Sequence, residues 1–153
     1  MPARYGDLAN GEMPDQIYGV TWNGDEKVNY TYDSLGRLTN KVVGGNIPQP
    51  FNTTYSYVDV DDTKTTTLLS SITTTNLIYN ELIPELNFLT YNYEYDELGN
   101  ITSIDFFGFE TTYEYDELNQ LVRENDEKSD VTYTYEYVNG NINAQGDGSS
   151  VLT

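Results

Sequence analysis

One short phrase recurs along this chain and limits the folds that it can adopt. Tyrosines at alternate positions are followed by Asp, two further residues, Gly or Asn, a polar residue and an apolar residue. The three clearest copies are YDSLGRL at 32–38, YDELGNI at 95–101 and YDELNQL at 115–121. A phrase that returns at a nearly constant spacing is typical of a repeated structural unit rather than of an active site.

The tyrosines themselves indicate β-strands. Twelve of the fifteen fall in Tyr-x-Tyr patterns, and residues two apart in a strand point to the same face of a sheet. Tyr, Val, Ile and Thr also favour extended, half-buried backbone. We therefore predict an all-β fold, an antiparallel up-and-down array of repeated β-hairpins with an aromatic ridge on one face. The predicted ridge residues are Tyr30, Tyr32, Tyr93, Tyr95, Tyr113, Tyr115, Tyr133 and Tyr135.

The residues after each ridge predict a turn. An Asp at the first turn position can accept a hydrogen bond from the backbone N–H two residues on, and a Gly three residues later can adopt the left-handed conformation that closes a type I turn with a bulge. In the third copy Asn119 replaces that glycine, and Asn is among the few other residues that tolerate this conformation. A fourth copy, YEYVNGNI at 135–142, contains the Asn-Gly pair of a two-residue type I′ hairpin. The predicted turn residues are Asp33, Gly36, Asp96, Gly99, Asp116, Asn119, Asn139 and Gly140.

The repeats also predict a domain division. We expect a flexible N-terminal segment at 1–14, a repeat domain at 15–145 and a flexible tail at 146–153. Asp96 and Asp116 are twenty residues apart, which sets a period of two strands and two turns. Between the first and second clear copies the pattern weakens, and Pro84 predicts an irregular loop or an edge strand.

Composition excludes several classes of function. Seven Lys and Arg against twenty-five Asp and Glu give a net charge of -18, which disfavours nucleic acids and anionic lipids as partners. The chain has no Cys and no His, so the thiolate nucleophile, the usual general base and the commonest transition-metal ligands are missing. No apolar run is long enough for a membrane span, and no secretion signal is present in the sequence. We predict that the protein is not an enzyme and has no catalytic residues, cofactor or dedicated metal site.

Two groups of acidic residues have an alternative interpretation. The turn aspartates could form a carboxylate pair of the kind that hydrolyses glycosides, but their shared position favours hydrogen bonds within each turn. Asp59, Asp61 and Asp62 could supply oxygen ligands to calcium. They lack the glycine and glutamate spacing of a dedicated calcium loop, so a solvated acidic loop is favoured and a weak calcium site stays open.

The recurring pattern Tyr-x-Tyr-Asp-x-x-Gly-Arg/Asn-Leu/Ile resembles the YD repeats of the Rhs family, which includes insecticidal toxin-complex subunits and animal teneurins. The resemblance covers most of residues 15–145. It implies a strongly twisted or spiralling sheet of many hairpins that encloses a hollow shell, often around a toxic C-terminal segment. We find no terminal plug, toxin segment or aspartate-based self-cleavage region in the chain.

The leading hypothesis is therefore a non-enzymatic structural repeat segment, part of the β-sheet wall or stalk of a larger bacterial Rhs-like protein that is secreted or displayed on the cell surface. Its expected partners are flanking repeats, or further copies that associate through sheet edges, and an encapsulated toxin segment or a surface glycan are further candidates. The alternative is an extracellular module that binds carbohydrate or protein with its tyrosine-rich faces. A sugar site would gather a few tyrosines in a concave, solvent-facing patch, whereas a wall would stack them along one face.

Overall fold

The computed structural model describes residues 2–44, 50–61, 64–76, 88–138 and 140–149. The chain divides into two compact units, Met1–Thr90 and Tyr91–Thr153. Within the described ranges, all regular structure is β-strand except for one short 3-10 helix.

Unit 1 is an antiparallel meander in which successive strands pair with each other. Because the strands are rich in Thr, Tyr and Val, they suit a pleated and half-buried surface. The elements are β1 (Ala3–Tyr5), the 3-10 helix (Leu8–Asn10), β2 (Ile17–Trp22), β3 (Asp25–Tyr32), β4 (Leu38–Val43), β5 (Phe51–Asp61) and β6 (Lys64–Asn76).

Unit 2 continues the same strand–turn–strand pattern. Its first strand, β7, begins just before the boundary between the units and ends at the second copy of the YD phrase. The strands are β7 (Phe88–Tyr95), β8 (Ile101–Phe106), β9 (Phe109–Tyr115), β10 (Leu121–Asp126), β11 (Val131–Val138) and β12 (Asn141–Ser149).

Two-residue turns close two of the hairpins that lack the YD phrase. Asn23 and Gly24 have φ angles of 52° and 83° between β2 and β3, and Phe107 and Gly108 have 58° and 78° between β8 and β9. Two consecutive residues with positive φ are typical of the type I′ turn, whose twist matches that of the flanking strands. Phe107 adopts a conformation that bulky residues rarely adopt.

A one-residue shift in register recurs in five of the described hairpins, next to a Tyr that precedes a turn or an acidic loop. The second strand has one extra residue there, which is a β-bulge and increases the local twist. The sequence analysis predicted a bulge at the turn glycine but not these bulges beside the tyrosines. The shifts fall at Thr31/Tyr32, Ser56/Tyr57, Glu94/Tyr95 and Glu136/Tyr137, and between Leu121 and Arg123 opposite Tyr115.

Side chains in both units are mostly half-buried. Among the described residues, no large apolar side chain is fully buried, and the one buried polar side chain is Ser103, which donates a hydrogen bond of 2.5 Å to Glu110 Oε1. Lateral contacts take the place of a deep core, as where the rings of Tyr91 and Phe106 stack 4.4 Å apart across the β7–β8 pair. Such cross-strand pairs stabilise a sheet by roughly 0.2–1 kcal/mol each.

The predicted fold class, an all-β antiparallel up-and-down array of hairpins, is confirmed. The domain division stays a prediction: β1 lies inside the segment 1–14, and β12 extends into 146–153. The predictions for Pro84, Asp62 and Asn139 lie outside the described residues. Within the described ranges, no helix has the length and apolar character needed to cross a membrane.

Candidate functional site

The YD turn is a polar site that recurs in the described part of the chain. In the second copy, the backbone N–H of Gly99 donates to the carbonyl of Asp96 at 3.1 Å, and the N–H of Asp96 donates to the carbonyl of Asn100 at 3.0 Å. Oδ1 of Asp96 accepts from the backbone N–H groups of Leu98 and Asn100 at 2.9 and 2.8 Å. One carboxylate oxygen therefore holds two N–H groups that the strand ladder cannot reach.

The third copy repeats this geometry with an asparagine. Oδ1 of Asp116 accepts from the backbone N–H groups of Leu118 and Gln120 at 2.8 and 2.9 Å. Asn119 has a φ of 59°, against 86° for Gly99. Both values lie in the left-handed region, so the asparagine adopts the conformation that the glycine adopts in the other copy.

Neighbouring turns in unit 2 also contact each other. Nδ2 of Asn100 donates to Oδ2 of Asp96 at 2.8 Å and to Oδ1 of Asn119 at 3.2 Å. The residue after the turn glycine therefore links its own turn to the corresponding turn of the next repeat.

In the first copy, an arginine follows the turn glycine and makes longer-range contacts. Nε of Arg37 lies 2.6 Å from Oδ2 of Asp33, and its terminal nitrogen donates to the Thr66 carbonyl at 2.6 Å and to the Thr65 hydroxyl. The guanidinium carbon lies 4.3 Å from the ring centroid of Tyr57. The arginine thus joins its turn to β5 and β6, and the sequence analysis missed this role.

The environment of the turn aspartates lowers two of their pKa values. The side-chain hydrogen bond from Asn100, helped by the backbone N–H donors, lowers the pKa of Asp96 below 3.8. Partial burial alone would raise the pKa of Asp33, but the hydrogen bonds from Arg37 and Leu35 and the positive charge of Arg37 outweigh it and lower that pKa. Both carboxyls are therefore ionised acceptors at neutral pH.

In the fourth hairpin, Gly140 has a φ of 77°, and its predicted partner Asn139 lies outside the described residues.

In the first turn, the carbonyl of Gly36 accepts a 2.8 Å hydrogen bond from Nε2 of Gln16. The segment before β2 therefore lies on the first YD turn.

A second recurring feature connects successive strands, and we call it the tyrosine–carbonyl bond. In each case a tyrosine hydroxyl donates to the backbone carbonyl of the first residue of the preceding strand. The four bonds are Tyr32 to Ile17 at 2.8 Å, Tyr57 to Leu38 at 2.8 Å, Tyr115 to Ile101 at 2.9 Å and Tyr137 to Leu121 at 2.8 Å.

These bonds have a common register. In each case, the backbone ladder between the two strands that the bond joins begins two residues after the accepting carbonyl and three residues before the donating tyrosine. The β8–β9 ladder, for example, begins at Ser103 and Thr112, whereas the bond joins Ile101 to Tyr115. The tyrosine therefore reaches a carbonyl beyond the end of the ladder between its own strand and the preceding one. Tyr57 shows that a weakened copy of the repeat keeps this bond.

Burial raises the pKa of several of these tyrosines. It is the largest cause for Tyr32, Tyr57 and Tyr115, so their hydroxyls stay protonated and can donate. Among the other ridge residues, Tyr93, Tyr113 and Tyr135 also have raised pKa values, mainly because of burial. The structure thus places predicted ridge tyrosines in hydrogen bonds as well as in ring packing.

The contacts of the turn aspartates indicate a structural role rather than a catalytic or metal-binding one. Asp33, Asp96 and Asp116 each bind the N–H groups of their own turn. In the part of the chain that the structure describes, no three acidic residues are grouped as a metal site would require. Asp62 lies outside that part, so the weak calcium site near Asp59 remains an expectation.

Comparison with known proteins agrees with this repeating geometry. Residues 95–131, which contain the second and third turns, match the family model described as RHS Repeat. Over these residues the chain is similar to the RHS repeat family. The resemblance predicted from the YD phrases is thereby confirmed.

Solved structures show the same fold beyond the matched RHS repeat. The chain is similar to the crystal structure of TcdB2-TccC3-TEV, with a TM-score of 0.64 and 22% identity, and to that of TcdB2-TccC3-Cdc42, with a TM-score of 0.62 and 21% identity. Each match covers 95% of this chain and 8% of the solved chain. This chain therefore spans less than a tenth of the length of those proteins, and at such identity the likeness concerns the fold. No curated protein matches the sequence.

Proposed function

We propose that the chain is a non-enzymatic structural segment of a β-sheet wall or stalk in a larger, secreted or surface-exposed bacterial protein of the Rhs type. The observation that carries the proposal is the tyrosine–carbonyl bond, which recurs four times with one register. A bond between one strand and the next, repeated in four hairpins, suits a surface that is extended by adding hairpins.

The arrangement of the carboxylates supports the non-enzymatic role. A hydrolase of acidic residues needs two carboxyls that face a shared substrate across a cleft. Asp96 and Asp116 instead use their Oδ1 atoms within their own turns. These contacts leave little freedom for a catalytic role.

The likeness to long toxin-complex chains supports the proposal that the segment works beside flanking repeats. β12 is the last strand of unit 2 and pairs with β11, and a strand at the end of a sheet presents N–H and C=O groups to a further strand. Successive repeats would add to that edge and could enclose a toxin segment in the assembled protein.

Protease protection of the larger protein that contains this segment tests this role. We expect that Tyr115→Phe combined with Tyr137→Phe increases cleavage of an enclosed segment, because both changes remove bonds between strands of the wall. Tyr133→Phe is the matched control, since the Tyr133 hydroxyl makes no hydrogen bond with the other described residues. Equal cleavage in the double variant and the control would contradict a wall function, and so would turnover of a glycoside that Asp96→Asn abolishes without unfolding the chain.

A further inference from the structure

Unit 1 contains a cleft of about 540 Å³ that the repeat pattern does not explain. It lies where the segment before β2 meets the end of β3 and the first YD turn. Its volume falls within the range of roughly 300–1,000 Å³ found for small-molecule sites. Its lining includes Arg4, Glu12, Tyr18, Tyr30, Tyr32 and Ser34.

Hydrogen bonds fix the N-terminal wall of this cleft. A terminal nitrogen of Arg4 lies 3.0 Å from both carboxylate oxygens of Glu12, and Glu12 also accepts from the backbone N–H of Asp7 at 3.0 Å. The backbone N–H of Met13 donates to the hydroxyl of Tyr18 at 3.0 Å. The wall is therefore formed before any ligand arrives, which reduces the entropy that binding would cost.

Three tyrosine rings line the cleft, and two of them pack against each other. Tyr18 and Tyr32 pack edge to face with their centroids 5.1 Å apart, and the guanidinium of Arg4 lies 5.5 Å from the Tyr18 centroid. Tyr30 also lines the cleft. The side chains of Tyr30 and Ser34 make no hydrogen bonds with the other described residues. One half-buried ring and two hydroxyls are thus available at the cleft.

We propose that this cleft binds a neutral carbohydrate. The apolar face of a pyranose ring would lie against Tyr30, and its hydroxyls would exchange hydrogen bonds with Ser34 and the carboxylate of Glu12. An aromatic ring with a few polar groups provides both the contact area and the orientation that such a ligand needs. The net charge of -18 and the carboxylate of Glu12 disfavour an anionic sugar.

The proposal goes beyond the structural role, because the cleft requires the segment before β2 in addition to Tyr32 and the first YD turn. Ligand-observed NMR and calorimetry on the full chain test it with chitotriose, maltotriose and cellotriose as neutral probes. We expect saturable binding of at least one of them, weakened about tenfold or more by Tyr30→Ala, which corresponds to about 1.4 kcal/mol. Tyr30→Phe should keep most of the affinity, since it retains the ring.

The repeats provide a matched control. Tyr93 occupies the corresponding place in the YEYD phrase of unit 2, so Tyr93→Ala should leave binding unchanged. A circular dichroism spectrum identical to that of the native protein would show that each variant is folded. The proposal is overturned if none of the three sugars binds saturably, if Tyr93→Ala weakens binding as much as Tyr30→Ala, or if trigalacturonate binds as tightly as the neutral probes.

Discussion

Replacing Gly99 with valine tests the physical basis of the YD turn. Gly99 has a φ of 86°, and the left-handed region costs an L-residue about 1–2 kcal/mol, with β-branched side chains worst placed. The turn could avoid this strain only by losing the 3.1 Å bond from Gly99 to Asp96, which contributes about 1 kcal/mol. Either route predicts that Gly99→Val lowers the free energy of unfolding by about 1–2 kcal/mol.

The matched control comes from the chain itself. Because Asn119 adopts a φ of 59° at the corresponding position, Gly99→Asn should cost well under about 1 kcal/mol. Thermal unfolding followed by far-UV circular dichroism compares the two variants, since the single Trp22 lies in unit 1 and does not report on this turn. We expect the midpoint of Gly99→Val to lie about 2–8 °C below that of Gly99→Asn.

Equal midpoints for the two variants would refute the reasoning, because they would show that the left-handed conformation at Gly99 contributes nothing to stability. Asn119→Gly provides a reciprocal check, and it should leave the midpoint unchanged or raise it slightly.

Three further predictions concern the contacts around the turns. Tyr115→Phe should lower the free energy of unfolding by about 1 kcal/mol in urea denaturation, because it removes one hydrogen bond, whereas Tyr133→Phe should have little effect. Asp96→Asn should be less stable than the native protein at pH 7, and the difference should narrow as the pH falls below 3.8. The lowered pKa of Asp96 makes its contribution complete above its unfolded pKa and lost as the pH falls through its folded pKa. Arg37→Lys should cost about 1–2 kcal/mol because lysine lacks the planar fork, while Arg123→Lys, at an exposed ion pair, should be nearly neutral.

Each of these predictions has a contradicting result. Identical urea midpoints for the two tyrosine variants would show that the tyrosine–carbonyl bond contributes nothing to the free energy of unfolding. If the stability difference between Asp96→Asn and the native protein stays constant between pH 7 and pH 2.5, folding does not favour the ionised form of Asp96. Equal losses for the two arginine variants would remove the special role assigned to Arg37.

Local sequence signals predicted much of the fold. Alternating tyrosines indicated strands, and Asp followed by Gly or Asn indicated where the strands turn. The structure has Asp33, Asp96 and Asp116 at such turns, with N–H donors on their carboxylates. These features were readable because each depends on a few consecutive residues, whose allowed backbone conformations are a local property.

Other features had no readable signal. The β-bulge beside Tyr57 persists where the turn phrase has disappeared, and the arginine after the first turn contacts Thr66, twenty-nine positions along the chain. The cleft in unit 1 is lined by Arg4, Glu12 and Met13, which belong to a segment predicted to be flexible. Each depends on which strands come to lie side by side.

The sequence alone determined the period, the all-β class and the positions of the turns, because hairpin geometry is set by neighbouring residues and by the alternation of side chains along a strand. Only the tertiary structure decided that a tyrosine in one strand binds the first carbonyl of the strand before it. That contact depends on where each ladder stops, as at Ser103 and Thr112, and the end of a ladder is a property of two strands together.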